Sequence, residues 1–321
     1  MDIGLVKKIA RGALAIREED GEVVFHRFTE EQRKVYESNH GFWLKTFADA
    51  GMRLEFATDA KSFVFGGHVD SASSRNFFFF DIYVNGALIK HVGSYSYQPG
   101  QEFRFDMELP EGMNRVAVYF PWTVKIRLAE LEFAGAAKIE PIEKKRRILC
   151  YGDSITQGYD SRYPSLAYAN IIADALDAEV INKAIGGDRF NPELAALPDA
   201  GPFDLVTVAY GTNDWSHENR EFLEDRSTRF FDEVERNYPD TPICALLPLW
   251  RHDWMRITEV GTFAEAYAIV RAAAERHPRI TIVNGWELLP HLESCVSDGL
   301  HPNDFGFQFM ARGLLKQLPV R

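Results

Sequence analysis

The sequence predicts a two-part α/β protein: a β-sandwich, jelly-roll-like domain over residues 1–140 and an α/β domain with a parallel sheet over residues 141–321. Before residue 135, apolar and charged residues alternate along several short segments, which is the pattern of half-buried antiparallel strands. From residue 146 onwards, fully apolar segments alternate with helical ones, as expected for parallel strands covered on both faces. The polar stretch 138–144, which contains Pro141, predicts the linker between them.

The first part is predicted to consist of short strands joined by tight turns. Alternation is clearest over 52–56, 103–109 and 127–133. Asn85-Gly86 lies between two apolar segments, a strong signal for a two-residue hairpin turn. We interpret Phe77–Phe80 as a strand buried on both faces, or as part of an interface between domains or subunits. A helix over residues 30–45 is a further possibility.

The second part is predicted to be five strands with helices between them. Its apolar segments are 147–151, 178–182, 204–210, 242–249 and 280–283. Thr262 with Glu265 three residues later forms a capping box, which predicts a helix from there to Ala274. Asn303 or Asp304 is predicted to cap a last helix over 305–318.

Composition excludes several classes of protein. The 321 residues are 46% hydrophobic and 26% charged with a net charge of −11, which is unsuited to non-specific nucleic-acid binding. Cys150, Cys244 and Cys295 are widely spaced, so we expect neither disulfides nor a zinc site. No segment is long and apolar enough for a membrane span, and the N-terminal residues lack the apolar core of a signal peptide. We therefore expect a cytoplasmic protein.

Polar residues follow the predicted strands where a parallel sheet binds its ligands, beyond the carboxyl ends. Ser154 stands in Gly152-Asp153-Ser154 after the first strand. Gly187 follows the second strand and Asn213 the third. The segment from Asp298 to His301 precedes the last helix. These four loops are predicted to form one cleft.

The residue types in these loops are those that nucleophilic acyl transfer requires. Ser154 is the expected nucleophile and His301 the general base. Asp298, three residues earlier, is placed to orient the imidazole, although a backbone carbonyl could do so instead. The main-chain N–H groups of Ser154 and Gly187 and the side-chain amide of Asn213 are the expected oxyanion donors. Asp153 and Asp214 are expected to organise loops.

These four blocks resemble those of the SGNH (GDSL-type) hydrolase superfamily, which carry Ser, Gly, Asn and His in the same order. The resemblance covers residues 146–321. It implies a flavodoxin-like three-layer α/β/α domain and ester hydrolysis through an acyl-enzyme, with no metal or organic cofactor. With a β-sandwich in front, the chain also resembles bacterial carbohydrate esterases of the acetylxylan esterase type. Some members of that group lack the acid before the histidine, whereas this chain has Asp298.

We therefore predict a serine esterase that removes small acyl groups, acetyl above all, from a carbohydrate. The expected partner is a small-molecule or oligosaccharide ester, and the chain could form a homo-oligomer. The alternatives are a lipase, phospholipase or thioesterase, or an inactive carbohydrate-binding protein. Trp215, Trp250 and Arg251 follow predicted strands and are candidates for substrate binding, with packing inside the core or a lid as the other interpretation.

Overall fold

The computed structural model describes residues 1–136 and 138–320. Its first part consists of two antiparallel β-sheets with three short helices. One sheet has the strand order β1-β4-β9-β6-β7, with β11 also paired to β4, and the other has the order β2-β3-β10-β5-β8. The elements of this part are α1 (Ile3–Ile9), β1 (Ala10–Arg11), β2 (Ala15–Glu19), β3 (Glu22–His26), α2 (Glu30–Lys34), α3 (His40–Lys45), β4 (Arg53–Thr58), β5 (Ser62–Ser71), β6 (Phe78–Val84), β7 (Ala87–Ser94), β8 (Gln101–Glu108), β9 (Asn114–Tyr119), β10 (Val124–Ala134) and β11 (Ile139–Pro141).

The two antiparallel sheets bury one shared aromatic core. Phe65 of β5 and Phe80 of β6 meet across the two sheets with ring centroids 5.1 Å apart, and Phe103 of β8 lies 4.9 Å from Phe80. Phe79 points to the opposite face of β6 and stacks on His91. The phenylalanine run therefore forms a strand buried on both faces, because its alternate side chains pack on different neighbours.

The Asn-Gly hairpin is confirmed. Asn85 and Gly86 both have positive φ and join β6 to β7. The expected helix over 30–45 forms two shorter helices instead. Asn39 interrupts it, because its side chain accepts a hydrogen bond from the Phe42 N–H and caps α3.

The second part contains one parallel sheet with the strand order β13-β12-β14-β15-β16, which is the flavodoxin-like order. Its elements are β12 (Arg146–Gly152), α4 (Ser154–Gln157), α5 (Tyr168–Ala175), β13 (Ala178–Asn182), α6 (Pro192–Ala195), β14 (Leu205–Ala209), α7 (Thr212–His217), α8 (Arg220–Asn237), β15 (Ile243–Leu246), α9 (Phe263–Glu275), β16 (Ile280–Val283) and α10 (Asp304–Leu315). Short 3₁₀ helices span Pro164–Leu166, Gly285–Glu287 and Glu293–Cys295.

Helices cover both faces of the parallel sheet. Apolar side chains of α5 and α10 form one cluster with β12 and β13, and those of α8 and α9 form another on the opposite face. The Thr262 capping box and the Asn303 cap are both present. The three cysteines are buried and unpaired. Among the described residues, no helix is long and apolar enough to cross a bilayer.

The two parts share a large interface, which buries polar residues that the alternating pattern would place in solvent. Arg53 and Glu55 of β4 are 2% and 8% exposed, because the α/β part covers that face of the sheet. Arg53 pairs with Asp174 of α5 at 2.5 Å. β11 crosses the predicted boundary at residue 140 and pairs with β4, so the first sheet ends slightly beyond that boundary.

Arg27 is a deeply buried link between the two parts. Its side chain is fully buried and donates hydrogen bonds of 2.6 to 2.7 Å to the carbonyl oxygens of Lys45, Ala48, Asn182 and Ala184. The first two carbonyls belong to the β-rich part, whereas Asn182 is the last residue of β13 and Ala184 lies two residues beyond it. One guanidinium thus satisfies main-chain acceptors of both parts where water cannot reach them.

Replacing Arg27 by Met should therefore lower the free energy of unfolding by about 3 kcal/mol or more, because buried carbonyl groups lose their donors. Chemical denaturation measures this. The matched control is Arg17→Met, since Arg17 makes an exposed pair with Glu30 and should change stability by about 0.5 kcal/mol or less. Equal effects of the two variants would contradict the role given to Arg27.

Candidate active site

Ser154 lies at the tip of the turn that follows β12. It is the first residue of the short helix α4, and the Asp153 side chain caps this helix by accepting the Ile155 N–H at 3.0 Å. A Cβ on Gly152 would lie 2.2 Å from Thr156 Oγ1, so only glycine allows this tight approach of turn and helix. The sequence thus holds the hydroxyl at the carboxyl edge of the sheet.

His301 connects Ser154 to Asp298. Its Nε2 lies 2.8 Å from Ser154 Oγ, and its Nδ1 lies 2.8 Å from Asp298 Oδ2. A carboxylate oxygen only accepts, so Nδ1 donates to Asp298 and leaves Nε2 to accept the serine proton. The other Asp298 oxygen accepts the main-chain N–H groups of Leu300 and His301. This local turn fixes the carboxylate relative to the imidazole.

The pKa of Asp298 is strongly lowered. Burial acts to raise it, but hydrogen bonds from the side chain and backbone of His301 outweigh that effect. Asp298 therefore stays ionised at every pH at which the imidazole works as a base.

Gly187 lies in the loop after β13, and Asn213 lies in the first turn of α7, which follows β14. Gly187 has φ of +87°, a left-handed conformation that favours glycine. Its loop is tied to the serine turn, because Ile185 N–H donates to Gly152 O at 3.1 Å and Gly186 N–H to Gln157 Oε1 at 2.7 Å. Asn213 donates one amide N–H to Asp188 O at 2.9 Å. This bond orients the amide and leaves its second N–H for another acceptor.

Three buried carboxylates lie directly behind these blocks: Asp153, Asp188 and Asp214. Burial raises the pKa of each to about 7. Each still holds a loop: Asp153 caps α4, Asp188 accepts the Tyr36 hydroxyl at 2.7 Å, and Asp214 accepts the Phe190 N–H at 3.2 Å. Asp214 Oδ2 has no hydrogen-bond partner among the described residues.

The three residues for which the sequence left substrate binding and packing open are all buried. Trp215 is completely buried and Trp250 is 7% exposed, so neither presents a ring face to solvent. Arg251 is also buried, and its guanidinium binds Thr212, Ser216 and Asp253. These contacts fit the packing interpretation, because the side chains fix the loop after β15 to α7. Trp254, in the same loop, is 40% exposed.

The β-rich part contributes side chains to the site that the sequence analysis did not identify. Lys45 Nζ donates to Gly186 O at 2.6 Å, and a Cβ on Gly187 would lie 3.3 Å from the Phe42 ring. Arg75 approaches from the loop between β5 and β6 and pairs with Asp160. No local sequence pattern predicts these contacts. Lys45 and Phe42 lie more than a hundred residues from the glycines that they contact, and Arg75 lies on an irregular loop.

Among the described residues, the donor atoms of Asp160, Asp298 and His301 lie within 4.8 Å of one another, and the positive charge beside them belongs to the protein. The Arg75 guanidinium already contacts both carboxylates, at 2.6 and 3.5 Å. A cation of the protein itself therefore occupies the position that balances their charge.

The chain is similar to several known proteins. Residues 150–309 match the GDSL-like lipase/acylhydrolase family. No curated protein matches the chain. Among solved structures, the salicylyl-acyltransferase SsfX3 of a tetracycline biosynthetic pathway superposes with a TM-score of 0.82 at 22% identity, over 97% of this chain and 96% of that chain.

Carbohydrate esterases share the same two-part fold. A family two carbohydrate esterase from Clostridium thermocellum, in complex with cellohexaose, has a TM-score of 0.66 at 16% identity over 96% of this chain and 97% of that chain. An acetyl xylan esterase from Butyrivibrio proteoclasticus has a TM-score of 0.63 at 16% identity, over 96% of this chain and 95% of that chain. The predicted resemblance to GDSL-type hydrolases and to carbohydrate esterases is thus confirmed. The first part is confirmed as a β-rich part, and its jelly-roll topology stays a prediction.

The buried Asp214 predicts a specific pH dependence of stability. Its folded pKa of about 7 lies above its ordinary value of 3.8, so the native state binds this proton more tightly than the unfolded state. The stability that it contributes is complete below pH 3.8 and is lost as the pH rises through 7.

Asp214→Asn keeps the acceptor for the Phe190 N–H. Its free energy of unfolding should therefore rise relative to that of the wild type as the pH increases from 5 to 8. Urea denaturation at both values measures this difference. Asp240→Asn, at an exposed position, is the control and should show none. A gain that is independent of pH would contradict the assignment.

Proposed function

Because residues 150–309 belong to the GDSL-like lipase/acylhydrolase family, we propose that the protein is a serine esterase that hydrolyses small acyl esters of a carbohydrate through an acyl-enzyme. The observation that carries this proposal is the continuous set of contacts from Ser154 through His301 to Asp298, each 2.8 Å long. This is the geometry of nucleophile, base and orienting acid that acyl transfer requires.

The proposed reaction has two halves. Ser154 Oγ attacks the ester carbonyl carbon while His301 Nε2 takes the hydroxyl proton. The N–H groups of Ser154 and Gly187 and the free amide N–H of Asn213 are assigned to the oxyanion. Collapse of the intermediate breaks the bond to the alcohol, which leaves with the proton from His301. Water then repeats these steps on the acyl-enzyme and releases the carboxylic acid.

Two observations support a small acyl group. Tyr159 closes the space beside Gly186, where a Cβ would lie 2.4 Å from the tyrosine ring. Phe42 lies less closely over Gly187, where a Cβ would be 3.3 Å from its ring. Aromatic rings on both glycines of the oxyanion loop leave little room for a long chain on that side.

The carbohydrate part of the proposal rests on architecture. The cellohexaose-bound esterase and the acetyl xylan esterase share both parts of the fold with this chain. We assign the β-rich part, whose jelly-roll topology stays a prediction, to the shaping of the cleft, because Lys45 and Arg75 reach the catalytic loops from it.

The experiment is a comparison of acetate release from acetylated oligosaccharides with hydrolysis of p-nitrophenyl acetate and octanoate. We expect acetyl esters to be preferred, and Ser154→Ala to lower kcat by at least about a thousandfold. Ser294→Ala, at an exposed serine in the 3₁₀ helix before His301, is the control and should retain full activity. Addition of an alcohol tests whether water is the acceptor, as opposed to the transfer that the acyltransferase carries out.

Equal rates for Ser154→Ala and the wild type would overturn the enzyme assignment in favour of a binding protein. A preference for octanoate would indicate a lipase-type enzyme. Cleavage of acetyl esters without activity on any oligosaccharide would support the esterase assignment and contradict the assignment of a carbohydrate substrate.

Asp298→Asn should lower kcat by about 10²- to 10⁴-fold with a smaller effect on KM, because an amide can present N–H to His301 Nδ1 and favour the wrong tautomer. Steady-state kinetics on p-nitrophenyl acetate measure this. Asp106→Asn, an exposed position in the β-rich part, is the control. A nearly unchanged kcat would show that another group orients the imidazole.

A further inference from the structure

The loop between β5 and β6 docks on the loop that follows α4. Ser74 contacts the Tyr159 hydroxyl through its N–H at 3.4 Å and its Oγ at 3.2 Å. Nearby, Trp122 of the β-rich part donates from Nε1 to Ser161 O at 2.7 Å and packs on the Tyr159 ring. These contacts fix the loop, and Arg75 lies in the middle of it.

Arg75 binds two carboxylates at once. Its Nε lies 2.6 Å from Asp160 Oδ1, and its Nη2 lies 3.0 Å from Asp160 Oδ2. The same Nη2 lies 3.5 Å from Asp298 Oδ2, the oxygen that accepts from His301. The guanidinium also lies over the Tyr159 ring, 5.1 Å from its centroid. The bidentate contact between Arg75 and Asp160 fixes the orientation of the carboxylate and also balances its charge.

Asp160 is a second carboxylate for the same imidazole nitrogen. Its Oδ2 lies 3.7 Å from His301 Nδ1, against 2.8 Å for Asp298. Asp160 has φ of +67°, an uncommon conformation for a residue other than glycine, which its contacts must hold in place. Without the bond to Arg75, the two carboxylates would compete for one N–H.

We propose that Arg75 is a positioning residue of the active site: it holds Asp160 away from His301 and neutralises the second carboxylate, so that Asp298 alone orients the base. The inference rests on the proposed esterase function. It makes the β-rich part a component of the catalytic site, because the cation that balances the acid pair comes from that part.

The charge balance around His301 gives the inference a measurable consequence. The groups that face the imidazole are Ser154 and Tyr159 on the serine side, the carboxylates Asp160 and Asp298, and the Arg75 cation. Lys45 of α3 lies beyond them and donates to Gly186 O. Removal of Arg75 leaves two carboxylates against one imidazole, which favours the imidazolium. A protonated base cannot accept the serine proton, so activity should be lost at a higher pH.

The test is the pH profile of kcat/KM on p-nitrophenyl acetate. In Arg75→Gln, the acidic limb should move upward by at least about half a pH unit. Asp160→Asn in the Arg75→Gln background removes the uncompensated charge and should return the limb to its wild-type position. Tyr83→Phe is the matched control, because it removes another contact between the two parts, the 3.1 Å bond to Ser165, without changing charge.

An unchanged acidic limb in Arg75→Gln, or a shift that Asp160→Asn does not reverse, would overturn the inference and leave Arg75 as a link between the two parts. If Arg75→Gln does not fold, Arg75→Lys and Asp160→Asn alone give the answer: Lys should shift the limb upward by less, and Asn should shift it downward. If the wild type itself shows no esterase activity, the proposed function is contradicted, and not the role of Arg75.

Discussion

The whole arrangement depends on the hydrogen bonds of one buried arginine. Arg27 satisfies carbonyl groups directly before the loop that carries Gly187 and others at the end of α3. Lys45, whose own carbonyl oxygen binds Arg27, in turn donates to Gly186 O. The conformation of the loop that carries Gly187 is therefore coupled to the packing of the β-rich part. A site of this kind is preorganised by contacts made well away from the reacting atoms.

Burial of a charged group costs free energy unless the group is paired or hydrogen-bonded. Arg27 meets this requirement with carbonyl oxygens, and Lys183 meets it with Asp199 at 2.9 Å. The three aspartates behind the catalytic loops meet it differently, since burial raises the pKa of each to about 7. Their neighbour Asp298 is partly exposed and held ionised by His301. An aspartate thus anchors a loop in one environment and pairs with an imidazole in another, the role that we propose for Asp298.

The sequence allowed much of this to be predicted where the signals are local. Ser154 and Asn213 follow apolar strands, and the Asn85-Gly86 hairpin and Thr262 capping box are short patterns with a direct physical cause. Contacts between distant segments were not predictable. Arg53 and Glu55 alternate with apolar residues as if half the strand faced water, whereas the second part of the chain covers them. Trp215 follows a strand as a binding residue would, yet it packs inside.

The account makes Ser154 an activated nucleophile, and this can be tested without knowledge of the substrate. The most direct measurement is the labelling of the protein with a fluorophosphonate, followed by peptide mass spectrometry. We predict one label per chain, on the peptide that contains Ser154, with labelling abolished by His301→Ala. Absence of label, or a label on another serine, would contradict the catalytic set.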